Sequence, residues 1–245
     1  MKTLNLKGIF KTFIAVATVS VFVAACSKDK SEPQRVAGLY VVNAFPDTVS
    51  WDFIIDNTRL TEKNPFKYNT RLYSSDNAGY LSLFPGGRRI GLTKRNKTSL
   101  VTSNTFNFAS GQGYTLFVLD TLTTNDKRFL VIQDDIASPE ANKAKIRFIN
   151  ASKDAGALSL SVSGKETDLF TAKAYTESSP YTSIDPAAAL TFTVKRSDGD
   201  KGTVATLPNV KIEEGRLYTI YAKGIKTAVI DSLKTAAGIY NIPTK

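Results

Sequence analysis

Histidine is absent from the 245 residues, and cysteine, methionine and tryptophan occur once each. Without histidine the chain cannot assemble a Ser-His-Asp or Cys-His nucleophile, an imidazole general base, or the usual zinc and haem ligand sets. A single cysteine, Cys26, cannot close a disulfide within the chain, so packing has to supply the stability. No stretch beyond Cys26 sustains the 3.6-residue apolar period of an amphipathic helix. Long apolar runs are also missing. The most apolar one, Phe13 to Ala25, has thirteen residues, short of the roughly 20 that cross a bilayer.

That run is nevertheless informative. Lys2, Lys7 and Lys11 precede it with no acidic neighbour, and small residues close it, which is the layout of a secretory signal. Val23-Ala-Ala-Cys26 resembles the bacterial lipobox, with Val23 where leucine is usual. The resemblance implies cleavage before Cys26 and acylation of its sulfur and amino group. Two or three acyl chains make a durable anchor where one holds only reversibly. Ser27 to Gln34 is polar and unpatterned, as suits a tether. It is similar to the export signal of Bacteroidota surface lipoproteins, with Lys30 interrupting the acidic run. The expected division is a signal peptide over 1–25 and a flexible tether over 26–35. The expected location is the outer membrane, lipid-anchored, facing the periplasm or the cell surface.

Formal net charge is +10, of which the three signal lysines contribute three. The densest basic stretch, Arg88, Arg89, Lys94, Arg95 and Lys97, contains no acid. It reads as a solvated hairpin surface, and no specific nucleic-acid partner is expected.

The chain also repeats itself. Leu39-Tyr-Val-Val-Asn-Ala-Phe-Pro-Asp47 returns at a shift of 107 as Ile146-Arg-Phe-Ile-Asn-Ala-Ser-Lys-Asp154. Trp51, Phe53 and Ile55 then fall on Leu158, Leu160 and Val162, alternating with mostly polar neighbours as in a half-buried strand. At a shift of 101, Tyr80, Pro85 and Lys94-Arg95 meet Tyr181, Pro186 and Lys195-Arg196. At 104, Gly111-Gln-Gly-Tyr-Thr-Leu-Phe117 lies over Gly215-Arg-Leu-Tyr-Thr-Ile-Tyr221, and at 98, Val131-Ile132 lies over Val229-Ile230. Short β-rich segments separated by turn chemistry predict an all-β chain of two tandem antiparallel β-sandwiches with Ig-like or Greek-key connectivity. The repeats are placed at 36–136 and 143–245, with a linker over 137–142 marked by Pro139.

The Asn-Ala-x-x-Asp element, the alternating strand after it and the later Gly-x-x-Tyr-Thr strand resemble the domain-of-unknown-function 4397 family. The resemblance implies repeated β-sandwich domains in secreted and lipid-anchored bacterial proteins. Phe45-Pro46 fits the family's proline before the aspartate, whereas Ser152-Lys153 departs from it.

Candidate chemistry is sparse. Asp134-Asp135, Glu213-Glu214 and Asp198-Gly-Asp200 pair carboxylates, but neighbours in a strand face opposite ways, and Asp-Gly is a hairpin turn signal rather than a calcium loop. Pro85-Gly-Gly87 and Gly111-Gln-Gly113 supply turns, since no helix follows to complete a phosphate loop. Trp51 is expected in the core, in phase with Phe53 and Ile55. Asn43 and Asn150 are expected to form Asx turns, and Tyr114 and Tyr218 to act as corner tyrosines bonding the backbone. No catalytic residue, cofactor or metal ligand is expected. The site expectations are Cys26 as the lipid attachment point and Thr48, Thr121 and Ser232 as O-glycosylation acceptors, each in an Asp-Ser/Thr-aliphatic triplet similar to the Bacteroidota acceptor.

The reading is therefore a non-enzymatic envelope lipoprotein that binds or assembles, with a membrane partner through its lipid and a glycan or envelope protein as ligand. A carboxylate-dependent glycan hydrolase, or a glycan-binding accessory of an uptake system, and a structural subunit of a surface appendage stay open beside it.

Overall fold

The computed structural model describes residues 36–73, 79–119 and 129–244; the signal, the tether with Cys26, and Thr121 lie outside the described residues. The first repeat runs β1 (Ala37–Asn43), β2 (Trp51–Ile55), β3 (Thr58–Arg59), β4 (Arg71–Leu72), β5 (Leu81–Leu83), β6 (Gly86–Lys94), β7 (Leu100–Phe108), β8 (Gly113–Val118) and β9 (Phe129–Asp134). The second runs β10 (Ala144–Ala151), β11 (Leu158–Val162), β12 (Phe170–Lys173), β13 (Thr182–Ile184), β14 (Ala187–Arg196), β15 (Thr203–Ile212), β16 (Arg216–Lys223) and β17 (Ala236–Pro243). The described residues hold no α-helix, only a 3-10 turn at Asp231–Leu233.

Each repeat is an all-β sandwich of two sheets. In the first, the order β3-β2-β6-β7 faces the order β4-β1-β8-β9, with β5 also on β1; in the second, β12-β11-β14-β15 faces β13-β10-β16-β17. Topology and register repeat. Leu39 stands opposite Tyr114 across a parallel β1/β8 pair, and Ile146 opposite Tyr218 across a parallel β10/β16 pair. These pairs are the exceptions to the expected antiparallel pattern. Parallel neighbours need a long crossover, and the strands of the opposite sheet supply it. Where β4 sits on β1 at Val42–Arg71, the second repeat has a single bridge at Ile149–Ser178.

One expected correspondence is overturned. Val131 and Ile132 pair with Leu116 and Thr115, and the residues in their places are Ile239 and Tyr240, on Ile220 and Thr219. Val229 and Ile230 instead lie in the loop before β17 and are exposed. The loop between β16 and β17 shifts the true block further along the chain, and two β-branched residues in a row are a weak marker of a strand.

Three apolar clusters fill the body. Leu39, Val41, Phe53, Ile90 and Leu116 lead one, inside the first sandwich. Ile146, Phe148, Leu160, Phe192 and Ile220 lead another, inside the second. The third draws on both repeats: Tyr40, Val42 and Phe117 with Ile149, Tyr221 and Tyr240. Strand alternation explains this. On β1, Leu39 and Val41 turn into their own sandwich while Tyr40 and Val42 turn toward the other repeat, so β1, β8 and nearly all of β10 and β16 are buried on both faces. The expected half-buried pattern fails at β2 and β11 too, where Asp52, Ser159 and Ser161 are buried.

Candidate functional site

The seam between the repeats is polar at its centre. Arg147 on β10 and Asp134 at the end of β9 form an ion pair at 2.6 Å, both side chains almost wholly buried. Tyr80 donates to Asp134 at 2.7 Å and Thr115 at 2.9 Å. The guanidinium also donates to Thr219 at 3.0 Å and to the Tyr240 hydroxyl at 3.1 Å, and lies 4.7 Å from the centre of the Tyr181 ring. Gly38 and Gly113 leave room for Tyr80, whose ring a Cβ at either would meet within 2.8 Å. Burial, with Asp134 next, pushes the Tyr80 hydroxyl far above its ordinary value. With its members bonded to one another in this way, the cluster serves as a fixed joint between the repeats.

At one end of this seam the repeats part to form a cleft of about 590 Å³. The first repeat contributes Asp47 and Thr48 from the loop after β1, and Lys67, Tyr68 and Asn69 from the turn before β4; the second contributes Lys223 and residues 231–236. Lys223 closes β16, only 6% exposed. Its ammonium donates to the Asn69 side-chain oxygen and sits 5.4 Å from the Tyr68 ring centre and 6.0 Å from that of Tyr221. Asn69 can present itself this way because its backbone is left-handed, φ 66°, a conformation asparagine tolerates. Burial, followed by the positive charge of Arg71, lowers Lys223 to about 8. The Tyr68 hydroxyl is buried and finds no hydrogen-bond partner among the described residues, and its burial raises it to about 12.

The expected site residues divide. Thr48 and Ser232 are exposed and share the lining of this cleft; Cys26 and Thr121 lie outside the described residues. The paired acids do not converge. Asp134 is buried in the seam while Asp135 faces outward to Lys145 at 3.0 Å. Asp200 grips Arg196 and the Gly202 N–H within a hairpin turn, and Glu213 pairs with Lys211 at 2.8 Å. Nor is the basic stretch uniformly free. Arg95 reaches Asp52 at 2.6 Å and Arg88 reaches Asp56 at 3.2 Å.

The structural motifs hold. The Phe45 and Ser152 N–H groups donate to Asn43 and Asn150 at 3.0 and 3.1 Å, closing two Asx turns. The Ala109 and Glu213 N–H groups donate to the Tyr114 and Tyr218 hydroxyls at 3.1 and 2.9 Å. Gly111 and Gly215, φ 75° and 74°, turn the chain into those tyrosine strands. Trp51 is buried, its indole N–H on Asp47 at 2.9 Å.

Sequence reading passed over Lys223, Tyr68 and Asn69. The signal that could have found Lys223 lies in the repeat itself: at the 104 shift it occupies the place of Leu119, which is 2% exposed. A lysine where the sister repeat buries a leucine marks a departure from scaffold.

Two sandwiches of one strand order, joined by a short link and meeting along a buried seam, define a tandem β-sandwich protein. The chain belongs to the family described as Domain of unknown function (DUF4397), whose model matches residues 37–161. The match takes in the first repeat, the link and the first two strands of the second. No curated protein matches the sequence. A solved structure of a streptococcal virulence factor, described as binding alpha-glucan, is similar at 10% identity over 75% of this chain and 91% of its own, with a TM-score of 0.24. That likeness is too slight to bear on ligand or mechanism.

Proposed function

We propose that the chain is a non-enzymatic binding module of the bacterial envelope, held at the outer membrane by lipid on Cys26, with its ligand seat in the cleft around Lys223. The observation that carries this reading is a buried ammonium beside an unpartnered phenol, in a cleft of about 590 Å³ lined by both repeats. A cleft of a few hundred Å³ with a few placed polar groups is the ordinary form of a small-ligand site. The hydrolytic alternative has less support. Its two carboxylates must face one another across the scissile bond, yet Asp231 is paired with Lys234 at 2.6 Å, and Asp47 accepts from Trp51 and from the Val49 N–H. A glycan on Thr48 or Ser232 would stand at this same cleft, so decoration and ligand binding compete for one space.

The test uses the full chain in detergent and a panel of soluble saccharides, organic acids and amino acids, read by thermal shift. A ligand is expected to raise the melting temperature of wild type and not of Ser232→Trp, whose indole fills the cleft. A shift that survives the filling moves the site elsewhere. Labelling with a radioactive fatty acid should mark wild type and spare Cys26→Ala; equal labelling of both would remove the anchor.

A further inference from the structure

We infer that the cleft takes a ligand carrying one carboxylate among several hydroxyls, an acidic sugar of the uronate type, with the carboxylate seated on Lys223. The inference rests on the binding reading above and names its ligand class.

A buried ammonium without a counter-charge is costly, and buried charges are ordinarily paired. Lys223 has no carboxylate partner among the described residues. Its contacts are a neutral amide and two ring faces, and the largest influence on its charge after burial is Arg71, also positive. With its value near 8, Lys223 is mainly protonated at neutral pH. A ligand carboxylate would supply the missing charge, and Tyr68, whose hydroxyl has no partner among the described residues, lines the same cleft.

The rest of the lining selects the remainder of the ligand. Thr48, Asn69, Ser232 and Thr235 offer hydroxyls and an amide, the groups that exchange hydrogen bonds with sugar hydroxyls. Asp47 and Asp231 line the same space. Both accept from hydroxyls; Lys234 offsets the charge of Asp231, and Asp47 sets a lining charge against a second anionic group, so a single carboxylate fits better than a dianionic phosphate or a nucleic acid. The charged and titratable groups around Lys223 are thus Lys67, Arg71, Lys234, Asp47, Asp231, Tyr68 and Tyr221.

The experiment measures equilibrium binding of the full chain, in detergent, to a glucuronate-terminated oligosaccharide, to the same sugar with its carboxyl reduced, and to inorganic phosphate. The acidic sugar is expected to bind, to lose about tenfold or more on reduction of the carboxyl, to resist competition by phosphate, and to weaken as the pH passes about 8. Lys223→Met should lose binding by a similar factor while the melting temperature of the unliganded protein holds or rises, because an apolar chain of like length replaces an unpaired charge. Equal binding of the reduced sugar, no binding of the acidic one, or displacement by phosphate would each overturn the ligand class and leave the cleft standing. A fall in melting temperature of Lys223→Met would show a structural lysine and overturn the inference. Acidic-sugar binding that survives both Lys223→Met and Ser232→Trp would remove the cleft reading itself.

Discussion

Leu39 and Ile146 hold the same place in the two repeats, opposite Tyr114 and Tyr218, and each is buried in its own sandwich. One position on, Tyr40 and Arg147 also hold one place, opposite Thr115 and Thr219, yet one is an aromatic ring and the other a cation. The same contrast recurs on the last strands, where Ile132 and Asp134 of the first repeat answer to Tyr240 and Ile242 of the second. Positions facing a sandwich interior are thus matched, whereas the seam sets unlike residues such as Tyr40 and Arg147 beside matched ones such as Thr115 and Thr219. The physics differs on the two sides. An interior needs only apolar volume, whereas two copies of one polar face would set like against like. By taking Asp134 from one repeat and Arg147 from the other, the seam joins unlike faces and fixes one register.

The largest effect expected from breaking this comparison is at the charged pair. Arg147→Met or Asp134→Leu alone leaves a buried charge unpaired and should cost about 3–5 kcal/mol, while the double substitution should restore most of it. Urea unfolding of the three variants measures this. Single losses under about 1 kcal/mol, with no recovery in the double, would mean that the pair specifies nothing.

A second contrast lies within the sandwiches. Asp52 is buried against Arg59 at 3.1 Å, Arg95 at 2.6 Å and the Asn96 N–H at 3.0 Å, and its counterpart Ser159 meets the uncharged Ser197 hydroxyl at 2.8 Å and the Ala172 N–H at 3.2 Å. Burial pushes Asp52 up, but the Asn96 N–H, then Arg95 and Arg59, outweigh it and hold the carboxyl below 3.8. Its stabilisation is therefore complete above that ordinary value and disappears as the pH falls through the lowered one. Asp52→Ala should cost about 3 kcal/mol and Ser159→Ala about 1 kcal/mol. Denaturant midpoints near neutral pH should show this asymmetry; equal losses would contradict it.

The smallest effect sharpens the likeness. Tyr114→Phe and Tyr218→Phe each remove one hydrogen bond to a backbone N–H at the same corner, and each should cost about 1 kcal/mol. A twofold difference between them in the same unfolding assay would show that the corners are not equivalent.

What the residues disclose follows the same division. The Asn43 and Asn150 turns, the Tyr114 and Tyr218 corners and the burial of Trp51 depend on neighbours close in sequence, and all were legible. The seam was not. Alternation reports one buried face, and β1, β8, β10 and β16 bury nearly all of two. As an alternate polar residue of β2, Asp52 reads as solvent-facing, because Arg95, its partner, is remote in sequence and lies in a basic stretch that reads as solvated. Lys223 carries no local signal, since only its alignment with buried Leu119 sets it apart.

The link from Asp135 to Lys143 gives the seam a further property. Surfaces tied by a short segment meet at an effective concentration of roughly millimolar, so they need only slight mutual affinity to remain closed. A seam that must desolvate an ion pair can therefore be weak as a free interface and still stay shut within one chain. Cutting the link would convert this closure into an ordinary bimolecular equilibrium that dissolves on dilution. Crowding many anchored chains together would act in the opposite sense, letting the second repeat of one close on the first repeat of its neighbour with every contact of the seam unchanged.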